Sequence, residues 1–247
     1  ITSNDEYVDP DTAQFFMRTE VEGEVEESEL MDALRPWVPD DGLLRIADKK
    51  PKKLVVMVTR ESHCIGDLLI RSEFGDMNGR VQAVVSNHDH LRSLVVRFNL
   101  PYHHISAEGL SREAHEKSVL EVLSGYTINC LVLAKYMRIL TPAFVRPYAD
   151  RLINIHHSFL PAFIGANPYK QAHSRGVKII GATAHYVSDE LDQGPIIEQD
   201  VIRVGHRLTS KEMARNGHDV EKIVLARALK NVLNDRVFIH GHRTITF

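Results

Sequence analysis

At 247 residues the chain is long enough for one large domain, or for one domain with a small companion. Its 43% hydrophobic and 26% charged residues are those of an ordinary globular protein. A net charge of −3 gives no electrostatic reason to expect a nucleic acid or an anionic membrane as partner, and no apolar run approaches the roughly 20 residues that span a bilayer.

The chain opens on Ile-Thr-Ser-Asn-Asp-Glu-Tyr, with neither the basic start nor the apolar stretch of a signal peptide. Two strands are predicted, at Ile1–Tyr7 and Gln14–Glu22, joined by a turn at Asp9-Pro10-Asp11. Leu30, Leu34 and Trp37 recur at helical spacing, which predicts a helix over Glu27–Trp37, and Leu43–Ala47 reads as a short strand. Strand, strand, helix, strand is a βαββαβ unit lacking its first strand and helix, so residues are expected to be missing at the N-terminus. The charged, proline-interrupted stretch at 48–53 reads as a linker that separates a small α+β domain, residues 1–47, from a larger one, residues 54–247.

Beyond the linker, strands and helices alternate. Leu54–Val58 is a continuous apolar run, as a parallel strand buried on both faces requires. Further strands are predicted at Val81–Ser86, Tyr102–Ile105, Cys130–Leu133 and Arg151–Ile155, with helices at Asp89–Phe98 and Ser111–Ser124. This order predicts an α/β fold with a mostly parallel, doubly wound sheet, whose ligands bind outside the carboxyl ends of the strands. After a polar stretch from Thr209, Val220, Ile223, Val224, Leu229 and Val232 define one face of a helix over Asp219–Leu233, and Val237–Phe247 reads as two short strands around Gly241-His242. Cys130 lies in an apolar strand and Cys64 in a predicted loop; two cysteines so far apart suggest no disulfide framework and a reducing cytoplasm.

Fourteen histidines raise the possibility of a metal, but the pairs His103-His104 and His156-His157 place neighbours on opposite faces of a strand, and no zinc-type motif accompanies them. No bound metal is expected. His156 stands out by its companions. Asn154, two positions earlier, emerges on the same face if the strand continues that far. Asp192 precedes Gly194-Pro195, a turn that can present a carboxylate. An aspartate bonded to one imidazole nitrogen fixes the ring and stabilises its imidazolium form, so His156 and the Asn154 amide together could hold a developing oxyanion. The competing reading, that Asn154 caps a strand end and His156 is a satisfied core histidine, fits the spacing equally well.

Four segments in this order decide between those readings: Ile153-Asn-Ile-His-His-Ser-Phe-Leu-Pro161, Gly165-Ala-Asn-Pro168, Gly181-Ala-Thr-Ala-His185 and Leu191-Asp-Gln-Gly-Pro-Ile-Ile197. With Leu133-Ala-Lys-Tyr-Met-Arg-Ile-Leu-Thr-Pro142 upstream, they resemble the formyltransferase-fold family that uses 10-formyltetrahydrofolate, over roughly Leu54 to the C-terminus. The resemblance implies a Rossmann-like catalytic domain with Asn154, His156 and Asp192 as its catalytic trio. It also implies a pterin pocket lined by Met137, Arg138, Leu140, Asp189 and Leu191, with His185 in support.

The trio activates a formyl group without choosing its acceptor. Members that formylate glycinamide ribonucleotide carry a glycine-rich phosphate loop, whereas Thr59–Gly66 has one late glycine. Members that act on a charged tRNA append a basic domain, and no such segment is seen here. The resemblance is closest to the branch that passes the formyl group to water, through Ser62–Leu69 and the doubled His156-His157. That branch carries an N-terminal ACT domain, which implies a possible amino-acid effector and a homo-oligomer. The expected activity is hydrolysis of a linear amide C–N bond, with folate as substrate and no cofactor, releasing formate for purine biosynthesis. A transferase and a non-catalytic folate-binding sensor stand as the alternatives.

Overall fold

The computed structural model describes residues 1–162 and 168–247, and they form two compact units, Ile1–Lys50 with Phe247, and Pro51–Thr246. In the first, β1 (Ser3–Val8) and β2 (Phe15–Glu20) form an antiparallel hairpin in which Tyr7 faces Phe16. The Asp9 side chain, almost wholly buried, holds the turn by accepting from the backbone N–H groups of Asp11 and Thr12, at 2.8 and 3.2 Å. Helix α1 (Glu27–Leu34) runs into a 3₁₀ turn at Arg35–Trp37. Residues Leu43–Ala47 do not form the expected strand. Leu44 and Ile46 are half-buried in alternation with exposed neighbours, but the segment joins no ladder among the described residues, and alternation without a paired backbone is not a strand.

The second unit is built on β3 (Lys52–Val58), α2 (His63–Phe74), β4 (Gly79–Ser86), α3 (Arg92–Val95), β5 (Tyr102–His104), α4 (Arg112–Ser124), β6 (Cys130–Leu133), α5 (Pro142–Val145), β7 (Leu152–His156), α6 (Pro168–Arg175), β8 (Ile179–Tyr186), β9 (Ile196–Arg203) and α7 (Ser210–Leu233). The closing hairpin, β10 (Val237–His240) and β11 (Arg243–Thr246), matches the two expected strands. The main sheet has seven strands in the order β5-β4-β3-β6-β7-β8-β9. Strands β3 to β7 pair in parallel, as expected, and β8 and β9 add antiparallel.

Strand β3 shows why the sheet is central. Leu54, Val56 and Val58 enter one core cluster with Leu68 and Leu69 of α2 and Val224, Leu225 and Leu229 of α7. Val55 and Met57 enter the other, with Val119 and Leu123 of α4 and Phe144 of α5. All five side chains from Leu54 to Val58 are fully buried. At about 1.5–3 kcal/mol for each, this one run contributes on the order of 10 kcal/mol of gross hydrophobic stabilisation.

The helices differ from expectation in instructive ways. The stretch Asp89–Phe98 holds a single α turn followed by 3₁₀ structure at Val96–Phe98, stopped by Asn99 in a left-handed conformation. Cys64 is not in a loop. It sits in the first turn of α2, 1% exposed, and burial pushes its thiol well up, so it is an inert core group. Cys130 is buried in β6, its thiol pushed up to about 12 by burial.

Helix α7 begins at Ser210, well before Asp219, because Thr209 and Glu212 form a capping box: Thr209 Oγ1 accepts from the Glu212 N–H and Glu212 accepts from the Thr209 N–H. Ile223, expected on the apolar face, is 41% exposed, and the face is instead Val220, Val224, Leu225, Ala228 and Leu229. Removing the cap with Thr209→Ala is expected to lower stability by about 1 kcal/mol. A urea midpoint that falls at unchanged slope would show it, and an unmoved midpoint would show that the box is dispensable. Among the described residues no helix is long and apolar enough to cross a membrane.

Candidate active site

Strand β7 ends at the carboxyl edge of the sheet, between β6 in parallel and β8 in antiparallel pairing. In that register Asn154 lies opposite His185, and His156 opposite Thr183. Directly facing residues of an antiparallel pair bring their side chains together. Asn154 Nδ2 is accordingly 3.2 Å from His185 Nε2.

The protons follow from the partners. His185 Nδ1 lies 2.8 Å from the Tyr186 carbonyl oxygen, which can only accept, so Nδ1 carries the proton. His185 Nε2 is then bare and accepts from the Asn154 amide, which turns the Asn154 nitrogen inward and leaves its second N–H for another acceptor. Burial lowers the His185 pKa, in keeping with this neutral form.

Asp192 comes from the connection between β8 and β9, in a left-handed conformation (φ 57°) that aspartate tolerates better than most residues. Gly194 lets that connection ride on the end of β8: a Cβ there would lie 1.7 Å from the Tyr186 carbonyl oxygen. The backbone is tied down by the Tyr186 N–H donating to the Pro195 carbonyl at 2.9 Å. Asp192 Oδ1 is thereby placed 3.3 Å from His156 Nδ1 and 3.9 Å from His185 Nε2. Burial pushes the Asp192 carboxyl up, but the hydrogen bond and charge of His156 outweigh it and hold the group below the usual carboxylate range.

One nitrogen remains. His156 Nε2 is buried and has no hydrogen-bond partner among the described residues. Its ring is anchored through Nδ1, so Nε2 points a fixed, unsatisfied polar atom away from Asp192. Buried polar groups are rarely left so. With the spare Asn154 N–H, the site offers two nitrogens for an oxygen that none of the described residues supplies. The structure therefore brings together Asn154, His156, His185 and Asp192.

The other expected residues are more scattered. Met137 and Leu191 are 61% and 54% exposed, on the loops that follow β6 and β8. Leu140 is half-buried against the core on the α4 side. Asp189 is exposed and lies 3.7 Å from Arg146. Arg138 lines an open cavity of about 540 Å³ with His88, Asp89, His104 and Glu108, none of which belongs to the trio. Of the segment Gly165-Ala-Asn-Pro168, only Pro168 falls within the described residues.

A second polar cluster was not anticipated. Glu221 of α7 is fully buried, and its carboxylate accepts from His63 Nε2 at 2.8 Å and from the Tyr169 hydroxyl at 2.6 Å, with Lys135 Nζ at 3.1 Å. His218 is half-buried and stacks on His63 with ring centroids 4.1 Å apart. The sequence carried one sign of the cluster: a glutamate at the spacing of the apolar face between Gly217 and Val224. Among the described residues, His63, Cys64 and Glu221, and Glu61, His63 and His218, are the groups close enough to share a metal ion. The charge of Glu221 is already matched within the chain by Lys135.

Residues 52–229 match the family model described as formyl transferase. The chain is 52% identical to a formyltetrahydrofolate deformylase of Escherichia coli over 245 residues, 99% of this chain and 88% of the relative. It superposes on the crystal structure of a formyltetrahydrofolate deformylase from Pseudomonas syringae with a TM-score of 0.95 at 43% identity, covering 100% of this chain and 84% of that one. A glycinamide ribonucleotide transformylase from Symbiobacterium toebii is more distant, with a TM-score of 0.77 at 26% identity over 84% of this chain and 99% of its own.

Proposed function

The chain belongs to the formyltetrahydrofolate deformylases of the formyl transferase family, and on that premise we propose that Asn154, His156 and Asp192 carry its hydrolysis of 10-formyltetrahydrofolate to formate and tetrahydrofolate. The observation that supports these roles is the unsatisfied His156 Nε2 beside the spare Asn154 N–H. Water adds to the formyl carbon, and the carbonyl oxygen becomes an oxyanion that accepts from Asn154 Nδ2 and from His156 Nε2 in its imidazolium form. Asp192 stabilises that cation through Nδ1. The bond from carbon to N10 then breaks, N10 takes up the proton that water gives up, and formate leaves. Preorganised donors of this kind are the main source of rate in acyl transfer. His185 is a positioning residue: its bare Nε2 turns the Asn154 amide nitrogen inward.

The exposed apolar side chains of Met137 and Leu191, with Leu140, Arg138 and Asp189 nearby in sequence, are assigned to the folate. The folate is the substrate, so no separate cofactor is invoked. The same family reading makes the N-terminal unit an ACT domain that takes an amino-acid effector in a homo-oligomer. We propose further that the protein works in the cytoplasm and releases formate for purine biosynthesis.

The test is formate release from 10-formyltetrahydrofolate with no other acceptor. Release only after adding glycinamide ribonucleotide would mark a transferase, and tight folate binding with no release a sensor. Within a working assay, Asn154→Ala is expected to lower kcat by about 10²–10³ with a small change in KM, the loss typical of one oxyanion donor. A raised KM at normal kcat would instead make Asn154 a binding residue.

A further inference from the structure

Strand β3 is the point where the sheet reverses: the chain leaves it to build β4 and β5 on one side, then returns to build β6 and β7 on the other. In sheets of this kind the loops after the two central strands part and leave a crevice, which is where ligands bind. Here that crevice is closed by the chain itself. The loop after β3 donates from Thr59 Oγ1 to the Lys135 carbonyl in the loop after β6, at 2.7 Å in buried surroundings. Beyond this tie, His63 from the start of α2, Lys135, Tyr169 of α6 and Glu221 of α7 converge, their side chains almost entirely withdrawn from solvent.

Two further features show that this filling is built in. Lys135 holds a left-handed backbone (φ 63°), a conformation that costs a non-glycine residue on the order of 1 kcal/mol. The chain carries a long cationic side chain where glycine would sit without strain. Gly217, one turn before Glu221, opens the slot through which Tyr169 reaches the carboxylate, since a Cβ there would lie 2.0 Å from the Tyr169 hydroxyl. Burying an ion pair seldom stabilises a fold more than apolar side chains of the same volume would. Stability alone is therefore a poor reason for the cluster.

Its position suggests another. The His157 ring lies 5.2 Å from that of His156 and 6.1 Å from that of Tyr169, so the cluster begins one side chain away from the formyl-activating groups. Burial and the Lys135 charge hold the His157 imidazole down at about 4, so this intervening ring is neutral near pH 7.

We propose that His63, Lys135 and Glu221, braced by Tyr169, are specificity-determining residues that occupy the acceptor side of the site and leave water as the only nucleophile able to reach the formyl carbon. This rests on the hydrolase reading above. Glu221 pairs the internal amine of Lys135, and the volume of Lys135 and His63 shuts out an external one.

The test offers the enzyme a rival acceptor. Wild type and Lys135→Gly are incubated with 10-formyltetrahydrofolate and glycinamide, a small primary amine, and formate and N-formylglycinamide are measured against tetrahydrofolate. In the transfer the amine nitrogen bonds to the formyl carbon, the bond to N10 breaks, and the amine's proton ends on N10. Wild type should give formate equal to tetrahydrofolate. Lys135→Gly, whose backbone suits glycine, should divert at least a tenth of the formyl groups to the amine, whereas Lys135→Met, which restores the volume without the charge, should return to water alone. Because a product ratio is read on whatever turnover remains, a general loss of activity does not mimic it, and His63→Ala gives a second opening should the first variant fold poorly. If neither opened variant raises the ratio above wild type, the proposal is overturned. If wild type releases no formate at all, it is the hydrolase reading that fails.

Discussion

Asp192→Asn is expected to lower kcat for formate release by about 10³-fold or more, while folate binding changes little. An amide in place of the carboxylate removes the negative charge beside His156 Nδ1 and can present an N–H to it where an acceptor is required. In the catalytic triad of serine proteases the corresponding change from Asp to Asn costs about 10⁴ in kcat for that reason. The effect should be large because Asp192 Oδ1, 3.3 Å away, fixes the ring through Nδ1, and among the described residues Nε2 has no hydrogen-bond partner to hold it from the other end. Steady-state kinetics with a separate folate-binding titration would check this. Turnover within a few-fold of wild type would remove Asp192 from the mechanism.

The second large effect is on stability. Glu221→Ala is expected to destabilise the protein by about 3–5 kcal/mol, because it leaves the Lys135 ammonium buried without its counter-charge. The Tyr169 hydroxyl and His63 Nε2 lose their acceptor in the same step. Burial pushes the Glu221 carboxyl up, yet the hydrogen bond from His63, the charge of Lys135 and the hydroxyl of Tyr169 together hold it down at about 2, against an ordinary 4.5. A carboxyl depressed on folding contributes stability that is fully present above about 4.5 and is lost as the pH falls toward 2. Wild type should therefore weaken across that window by more than the variant does. Urea midpoints at pH 7 and pH 3 would show both effects. A double change, Lys135→Met with Glu221→Leu, should recover most of the loss, and failure to recover would mean that the damage lies in packing rather than in the stranded charge.

The parts of this molecule written in short runs of sequence were the legible ones. Leu54–Val58 could only be a strand covered on both faces, and the structure buries all five residues. Asn154 and His156 share a face because strand side chains repeat every second residue, and that spacing can be read without a partner. Strands β8 and β9 were not read as strands. The small residues of Gly181-Ala-Thr-Ala weaken the apolar pattern, and their place in the sheet depends on β7. Leu43–Ala47 failed the other way, with the pattern present and the pairing absent. The first turns of α7 are polar and hide the helix start in sequence, although the capping box at Thr209 marks it. The role of Gly217 appears only once Tyr169, 48 positions away, is known to cross it.

The two clusters also differ in how much chain each must close. Asn154 meets His185 across 31 positions, whereas His63 meets Glu221 across 158. Joining the longer stretch costs about 1.4 kcal/mol more in loop-closure entropy, before any contact compensates. The Asn154–His185 pair is a local product of neighbouring strands. The His63–Glu221 bond is a long-range one, which exists only while α2 and α7 stay docked on the same side of the sheet. A local opening that parts those two helices takes His63 from Glu221 and leaves the Lys135–Glu221 and Asn154–His185 pairs in place.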